Sequence, residues 1–204
     1  MKTIAVIGEN AVRLQAPGGG SSEIKALYEI TPLQGLIAQV KGRSNVIFSM
    51  GYEEKSGTEQ IANAVGAAAN ADVAIIFTGL SHYEHGDAEG SDRLDITLPF
   101  HQDELVQAVL AVNPRTIVVN ISGSPVAMPW IDQIPAVVQA WYGGMEAGNA
   151  IADVLFGKVN PSGKLCFTFP QKLSDSPAHA LNAYPGENGV VMYKEGIYVG
   201  YRWY

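Results

Sequence analysis

The stretch VAIIFTGLSHYEHGDAEGSDRLDITLPFHQDELVQAVLAVNPRTIVVNI, residues 73–121, decides how the rest of this chain is read. It opens on Val73-Ala-Ile-Ile-Phe77, a run without a polar residue, which marks a parallel strand buried on both faces. It closes on a second such run at 116–121. Ahead of that run, Leu105, Ala108, Val109 and Val112 fall at helical spacing, and Asn113-Pro114 ends the helix. Strand, helix, strand is one right-handed crossover of a parallel sheet. Between the first strand and the helix lie residues 79–99, which hold three Asp, two Glu and two His with neither periodicity. Loops of that length inside a compact α/β domain are usually functional. This one leaves the carboxyl end of a strand, where open α/β sheets gather their ligands. A carboxylate cluster there points to acid/base chemistry on a polar substrate.

Working outward, apolar runs at 3–7, 45–48, 136–141 and 165–169 bring the expected strands to six. Leu33, Leu36, Ile37 and Val40 form a helix face, with Thr31 as N-cap and Pro32 at the first helical position. Ile61, Val65, Ala68 and Ala69 mark a second helix, and Ala147, Ile151, Val154 and Leu155 another that Gly157 stops. The expected fold is therefore α/β: a six-stranded, mostly parallel sheet with helices on both faces, a flavodoxin-like three-layer sandwich. The expectation is one domain over residues 1–204. Residues 170–193, rich in Ser, Pro, Asn and Gly, read as a surface excursion. The last twelve residues hold five aromatics, Tyr193, Tyr198, Tyr201, Trp203 and Tyr204, too many for a free tail. They are expected to pack on this domain or on a neighbour.

The bulk composition excludes some functions. The chain is 47% hydrophobic and 16% charged, that of a globular protein, with a formal charge of −7. Its 13 basic residues are scattered, so no basic stripe offers itself to nucleic acid or to an anionic membrane surface. Met1-Lys2 with the apolar run behind it resembles the start of a signal peptide. Glu9, Asn10 and Arg13 cut that run short, so it is read as the first strand. The single cysteine, Cys166, excludes an intrachain disulfide and, in the run 165–169, is expected to be a buried, inert thiol.

Several motifs have plainer readings beside the functional one. Gly8 after the first strand and Gly18-Gly-Gly-Ser-Ser22 suggest a phosphate cradle, but no G-x-G-x-x-G leaves the strand and no Gly-Lys-Ser/Thr follows. A glycine-rich pocket rim fits better. His82, His85, Asp87 and Glu89 contain metal-ligand types, yet His-x-x-His outside a helix presets no common face. No metal and no cofactor are expected. Asn120-Ile-Ser-Gly-Ser124 lacks the G-x-S-x-G elbow of a serine hydrolase. Trp130, Trp141 and Tyr142 read as core aromatics or as sugar-stacking platforms, with burial the default.

Taken together, the motifs resemble the carboxy-terminal α/β sandwich domain of glycoside hydrolase family 3, the β-glucosidase/β-xylosidase/exoglucanase group. The resemblance runs nearly end to end: Thr3-Ile-Ala-Val-Ile-Gly8, Gly18-Gly-Gly-Ser-Ser22, Glu89-Gly-Ser-Asp-Arg93, Gly123-Ser-Pro-Val126, Gln139-Ala-Trp-Tyr142, Ala152-Asp-Val-Leu-Phe-Gly157, Asn160-Pro-Ser-Gly-Lys-Leu165 and Glu195 to Tyr204. No one of these motifs is specific; their number and order are.

The resemblance implies a retaining hydrolysis of terminal β-linked sugars, in which two carboxyl groups flank one bond. In this family the nucleophile belongs to an amino-terminal (β/α)8 barrel and the general acid/base to a loop of the second domain. The Glu-Gly-x-Asp-Arg match puts the acid/base on Glu89, with Glu84 in reserve, and His82, Asp92 and Arg93 against the sugar. The acid must hold a proton near neutral pH, so a raised pKa is expected for Glu89, with Arg93 paired to Asp92 instead. No barrel and no Ser-Asp-Trp nucleophile motif stand in these 204 residues. The expectation is an excised domain or a split-gene product, inactive until it meets its barrel. The alternative is a non-catalytic module that binds sugar or a partner.

Overall fold

The computed structural model of the protein describes residues 1–53, 57–82, 87, 89 and 93–204. Its core is a five-stranded parallel sheet: β1 (Thr3–Ile7), β2 (Asn45–Ser49), β3 (Val73–Gly79), β4 (Thr116–Ile121) and β5 (Ala136–Gln139), in the order β2-β1-β3-β4-β5. Four helices cross over between strands or follow them: α1 (Pro32–Val40), α2 (Glu59–Ala69), α3 (Gln102–Val112) and α4 (Ala147–Leu155). A single turn, α5 (Pro177–Ala180), lies in the carboxy-terminal excursion.

Strand alternation sorts the core into two layers. Ile4, Val6, Ile75, Phe77, Val119 and Ile121 face Leu36 and Val40 of α1 and Ile151 and Ala152 of α4. Ala5, Ile7, Ala74, Ile76 and Val118 face Ala64 and Ala68 of α2 and Leu105, Val106 and Val109 of α3, with Trp130 buried among them. Each large side chain fully buried here contributes about 2 kcal/mol. The reciprocal cap at the start of α1, where Gln34 N–H donates to Thr31 Oγ1 (3.3 Å) and Thr31 N–H to Gln34 Oε1 (2.9 Å), adds about 1 kcal/mol. Burial dominates, and the cap fixes where the helix begins. On the first layer α1 and α4 cross backbone to backbone: a Cβ on Gly35 would lie 2.1 Å from the Gly148 carbonyl oxygen.

The sixth expected strand does not form. Residues 165–169 have no ladder partner among the described residues, and Cys166 is exposed rather than buried. The sequence pattern was real but its cause is aromatic. Phe167 and Phe169 stack on each other at 5.4 Å, and Trp141 meets Phe167 edge-on at 5.2 Å. Trp141 itself has a φ of +56°, so the β5 run stops at Gln139 instead of reaching residue 141. Beyond it, residues 156–204 carry little regular structure, and the terminal aromatics stand in solvent, Tyr193 at 82% and Tyr201 at 75% exposure.

Candidate functional site

The sheet order puts β1 and β3 side by side, while the chain leaves β1 toward β2 on one flank and β3 toward β4 on the other. Such a reversal opens a crevice beyond the carboxyl ends of the two strands. Two loops empty into it, the glycine-rich segment after β1 and the acidic segment after β3. They meet directly. Ser21 N–H donates to Glu89 Oε2 at 2.8 Å, and the Ser21 hydroxyl donates to the same oxygen. The glycine-rich loop is held at its base by Glu29, whose carboxylate accepts from Gln15 N–H (2.6 Å) and Ala16 N–H (3.0 Å).

Glu89 is exposed, and the two Ser21 bonds hold its carboxyl below the ordinary carboxylate range, against a smaller push upward from burial. The raised pKa expected from the sequence is not found in this chain. A general acid needs desolvation or a like charge to keep its proton, and here the nearest donors favour the charged form.

Two described residues of the acidic loop, Asp87 and Arg93, are anchored to the loop after β4. Asp87 accepts from Gly123 N–H (2.6 Å), from the Ser124 hydroxyl and from Tyr142 Oη–H (2.7 Å). Burial, and then the Asp87 charge, raise the Tyr142 pKa, so its proton stays in that bond. His82 is half-buried, its ring 4.0 Å from that of Tyr142 and its Nδ1 2.9 Å from the Asp87 carbonyl oxygen. Arg93 donates to Ser124 Oγ (3.0 Å), to the Pro125 carbonyl (2.9 Å) and to the Thr97 carbonyl (3.4 Å). The structure thus brings His82, Asp87, Glu89 and Arg93 onto one rim. Glu84, His85 and Asp92 lie outside the described residues, and with them the expected Arg93–Asp92 pair. Among the described residues no group of three His, Cys, Asp or Glu could hold a metal ion.

A polar row behind the rim went unread in the sequence. Thr78, Asn120 and Gln139 stand in register across β3, β4 and β5. Thr78 Oγ1 donates to Asn120 Oδ1 (3.2 Å), and Asn120 Nδ2 donates to Gln139 Oε1 (2.7 Å) and Ser122 Oγ (2.9 Å). Its signal was present: each of the three ends an apolar run at the same distance from the sheet's carboxyl edge. In the sequence Asp87 stood out only as a residue of metal-ligand type and Tyr142 only as a core aromatic or a sugar platform.

The chain is similar in sequence and fold to known proteins. A family model described as the glycosyl hydrolase family 3 C-terminal domain matches residues 1–201. Beta-glucosidase BoGH3A of Bacteroides ovatus is 44% identical over 218 residues, taking in 100% of this chain and 29% of that protein. Thermostable beta-glucosidase B of Acetivibrio thermocellus is 44% identical over 99% of this chain and 27% of its own length. Among solved structures, a GH3 beta-glucosidase of Bifidobacterium adolescentis matches with a TM-score of 0.86 and 39% identity, over 99% of this chain and 29% of that one. A beta-glucosidase of Kluyveromyces marxianus, solved in complex with glucose, matches with a TM-score of 0.87 and 25% identity, over 98% of this chain and 42% of that one. The chain therefore spans less than a third of the length of these curated relatives.

Proposed function

The chain belongs to the glycosyl hydrolase family 3 C-terminal domain family, and from that premise we propose that it is the part of a retaining β-glycosidase that carries the general acid/base, Glu89. The observation that carries the proposal is the meeting of Glu89 with the glycine-rich loop at the β1/β3 crevice. There a glutamate carboxyl stands at the carboxyl edge of the sheet, on a loop tied down by Asp87 and Arg93. The substrate is a terminal β-linked sugar, glucose first among them because the relatives are named for it. The sequence match adds His82, Asp92 and Arg93 as sugar contacts, of which His82 and Arg93 lie among the described residues, and Glu84 is the reserve acid/base.

The other carboxylate, the nucleophile, comes from an amino-terminal (β/α)8 barrel of the same enzyme. Retaining hydrolysis sets the two carboxyl groups about 5–5.5 Å apart. In the first step Glu89 protonates the departing glycosidic oxygen while the nucleophile attacks the anomeric carbon; in the second it takes a proton from the water that frees the sugar. For the first step Glu89 has to hold a proton. Its bonds to Ser21 favour the ionised form, so a barrel wall and substrate closing over it must remove it from Ser21 and from water. The same bonds favour the second reading, a sugar- or partner-binding module in which Glu89 is only an acceptor.

The test compares Glu89→Ala and Glu84→Ala in the complete enzyme on aryl β-glucosides of graded leaving-group acidity. Glu89→Ala is expected to slow poor leaving groups steeply and activated ones little, with Glu84→Ala near wild type. The reverse pattern moves the acid/base to Glu84. Flat behaviour in both variants leaves the binding module.

A further inference from the structure

The loop that carries Glu89 runs from the end of β3 to the start of α3, and its two ends are joined by one buried side chain. β1 accompanies β3 only as far as the pair Ile7–Ile76, while β4 stays paired out to Gly79–Ile121. β3 therefore overruns its neighbour by three residues, and their backbone groups on that side need other partners. Side chains supply them. Tyr52 Oη–H donates to the Phe77 carbonyl at 3.0 Å, and Asn10 Nδ2 to the Thr78 carbonyl at 3.2 Å. Gln15 Nε2 donates to the Leu80 carbonyl at 3.3 Å and to Asn10 Oδ1 at 3.0 Å.

Gln102 does something different. Its Oε1 accepts from Gly79 N–H (2.8 Å) and its Nε2 donates to the Gly79 carbonyl (3.0 Å), in a site with no solvent exposure. Gly79 is the last residue of β3 and Gln102 the first of α3, so this two-bond contact closes the neck of the loop. Gly79 has a φ of +131°, and a Cβ on it would sit 1.9 Å from the Ile121 carbonyl oxygen, so the turn out of the sheet is fixed from the β4 side as well. Closing a loop at its ends lowers the entropy of everything between them.

We propose that Gln102 is a positioning residue for the acid/base: by stapling Gly79 to the start of α3 it fixes the base of the loop from which Glu89 reaches the substrate. Gln102 touches no reacting atom. The inference rests on the assignment of Glu89 above and adds the element that holds the loop in register. Glutamine fits because one side chain must offer an acceptor to the N–H and a donor to the carbonyl of a single residue; methionine matches its length and offers neither.

The experiment compares Gln102→Met with Asn113→Ala in the complete enzyme. Asn113 is also buried, clamps the Ala68 and Ala71 carbonyls at 3.0 Å each, and sits at the opposite edge of the sheet. Both variants lose buried hydrogen bonds and melt earlier. Gln102→Met is expected to lower kcat for poor leaving groups about tenfold or more with KM little changed, and to speed amide exchange from Gly79 to Pro99. Asn113→Ala leaves both readouts at wild type. If Gln102→Met does not fold, Gln15→Met removes one donor from the Leu80 carbonyl and is expected to give a several-fold loss of the same kind. A folded Gln102→Met or Gln15→Met with unchanged kcat and exchange overturns the proposal. Loss of activity in Glu89→Ala alongside that result leaves the acid/base assignment standing; an active Glu89→Ala removes the assignment itself.

Discussion

The two edges of the sheet use buried polar residues for different ends. At the amino edge, Asn113 and Thr116 tie chain ends together: Asn113 Nδ2 reaches the last turns of α2, and Thr116 Oγ1 donates to the Asn113 carbonyl at 2.6 Å. These bonds satisfy carbonyls left over where a helix stops. At the carboxyl edge, Asn10, Gln15, Tyr52 and Gln102 surround the end of one strand, and Thr78, Asn120 and Gln139 run across three. Nothing about ending a helix requires that. Polar groups in a core cost free energy unless each is paired, so concentrating them around the departure of one loop is an expense that stability alone does not explain. The difference is that the carboxyl edge gathers its buried polar groups where the loop carrying Glu89 departs, as a positioning role would require.

The sharpest way to break the comparison is at the carboxylate itself. In the complete enzyme, Glu89→Ala is expected to lower kcat on poor leaving groups by about 10²–10⁴-fold, with no change in the melting temperature beyond a degree or two, because the side chain is exposed. A steric change on neither edge should do the opposite. Gly35→Ala drives a methyl group toward the Gly148 carbonyl at the α1–α4 crossing. It is expected to cost about 3 kcal/mol or more, read as a lower denaturation midpoint, with the surviving folded fraction keeping wild-type kcat.

Asp87→Asn comes next. The carboxylate accepts three hydrogen bonds, one of them from Tyr142, and an amide oxygen cannot take all three. About 1–2 kcal/mol of stability should go, together with a several-fold loss of kcat, whereas Asn113→Ala at the other edge should lose stability alone. The smallest effect is electrostatic. Ser21 holds Glu89 below its ordinary value of 4.5, so Ser21→Ala should move the Glu89 carboxyl midpoint upward, as followed by carbon-13 NMR. A depressed acid adds stability above its unfolded pKa and loses it as pH falls through the folded one. The stability difference between wild type and Ser21→Ala should therefore be full near neutral pH and close below about pH 4.5.

Much of this was legible in the sequence because it depends on periodicity. Four long helices and five strands announced themselves through apolar spacing, and Thr31-Pro32 marked a helix start that the cap bonds bear out. The run 165–169 misled for a physical reason: Phe167 and Phe169 are spaced like alternating strand residues, but they serve a cluster around Trp141. The exposed Cys166 followed from the same misreading. At the site, the sequence pointed to a loop and could not give its partners. That Ser21 would meet Glu89 from 68 residues away depends on β1 and β3 being neighbours, which no local pattern encodes. The terminal aromatics were expected to pack on this domain or on a neighbour; on this domain they stand exposed, Tyr198 and Tyr204 included, which leaves the neighbour as the open alternative.

The most direct test of the central claim is azide rescue of the Glu89→Ala enzyme on an activated aryl β-glucoside. Without an acid/base, water attacks the glycosyl-enzyme slowly, and an anion that needs no deprotonation attacks in its place. If Glu89 is the acid/base, added azide restores turnover and the product is the β-glucosyl azide, with the wild-type enzyme giving only glucose. Turnover that azide does not change, with glucose as the sole product, would contradict the assignment and leave Glu89 as a polar contact on the rim.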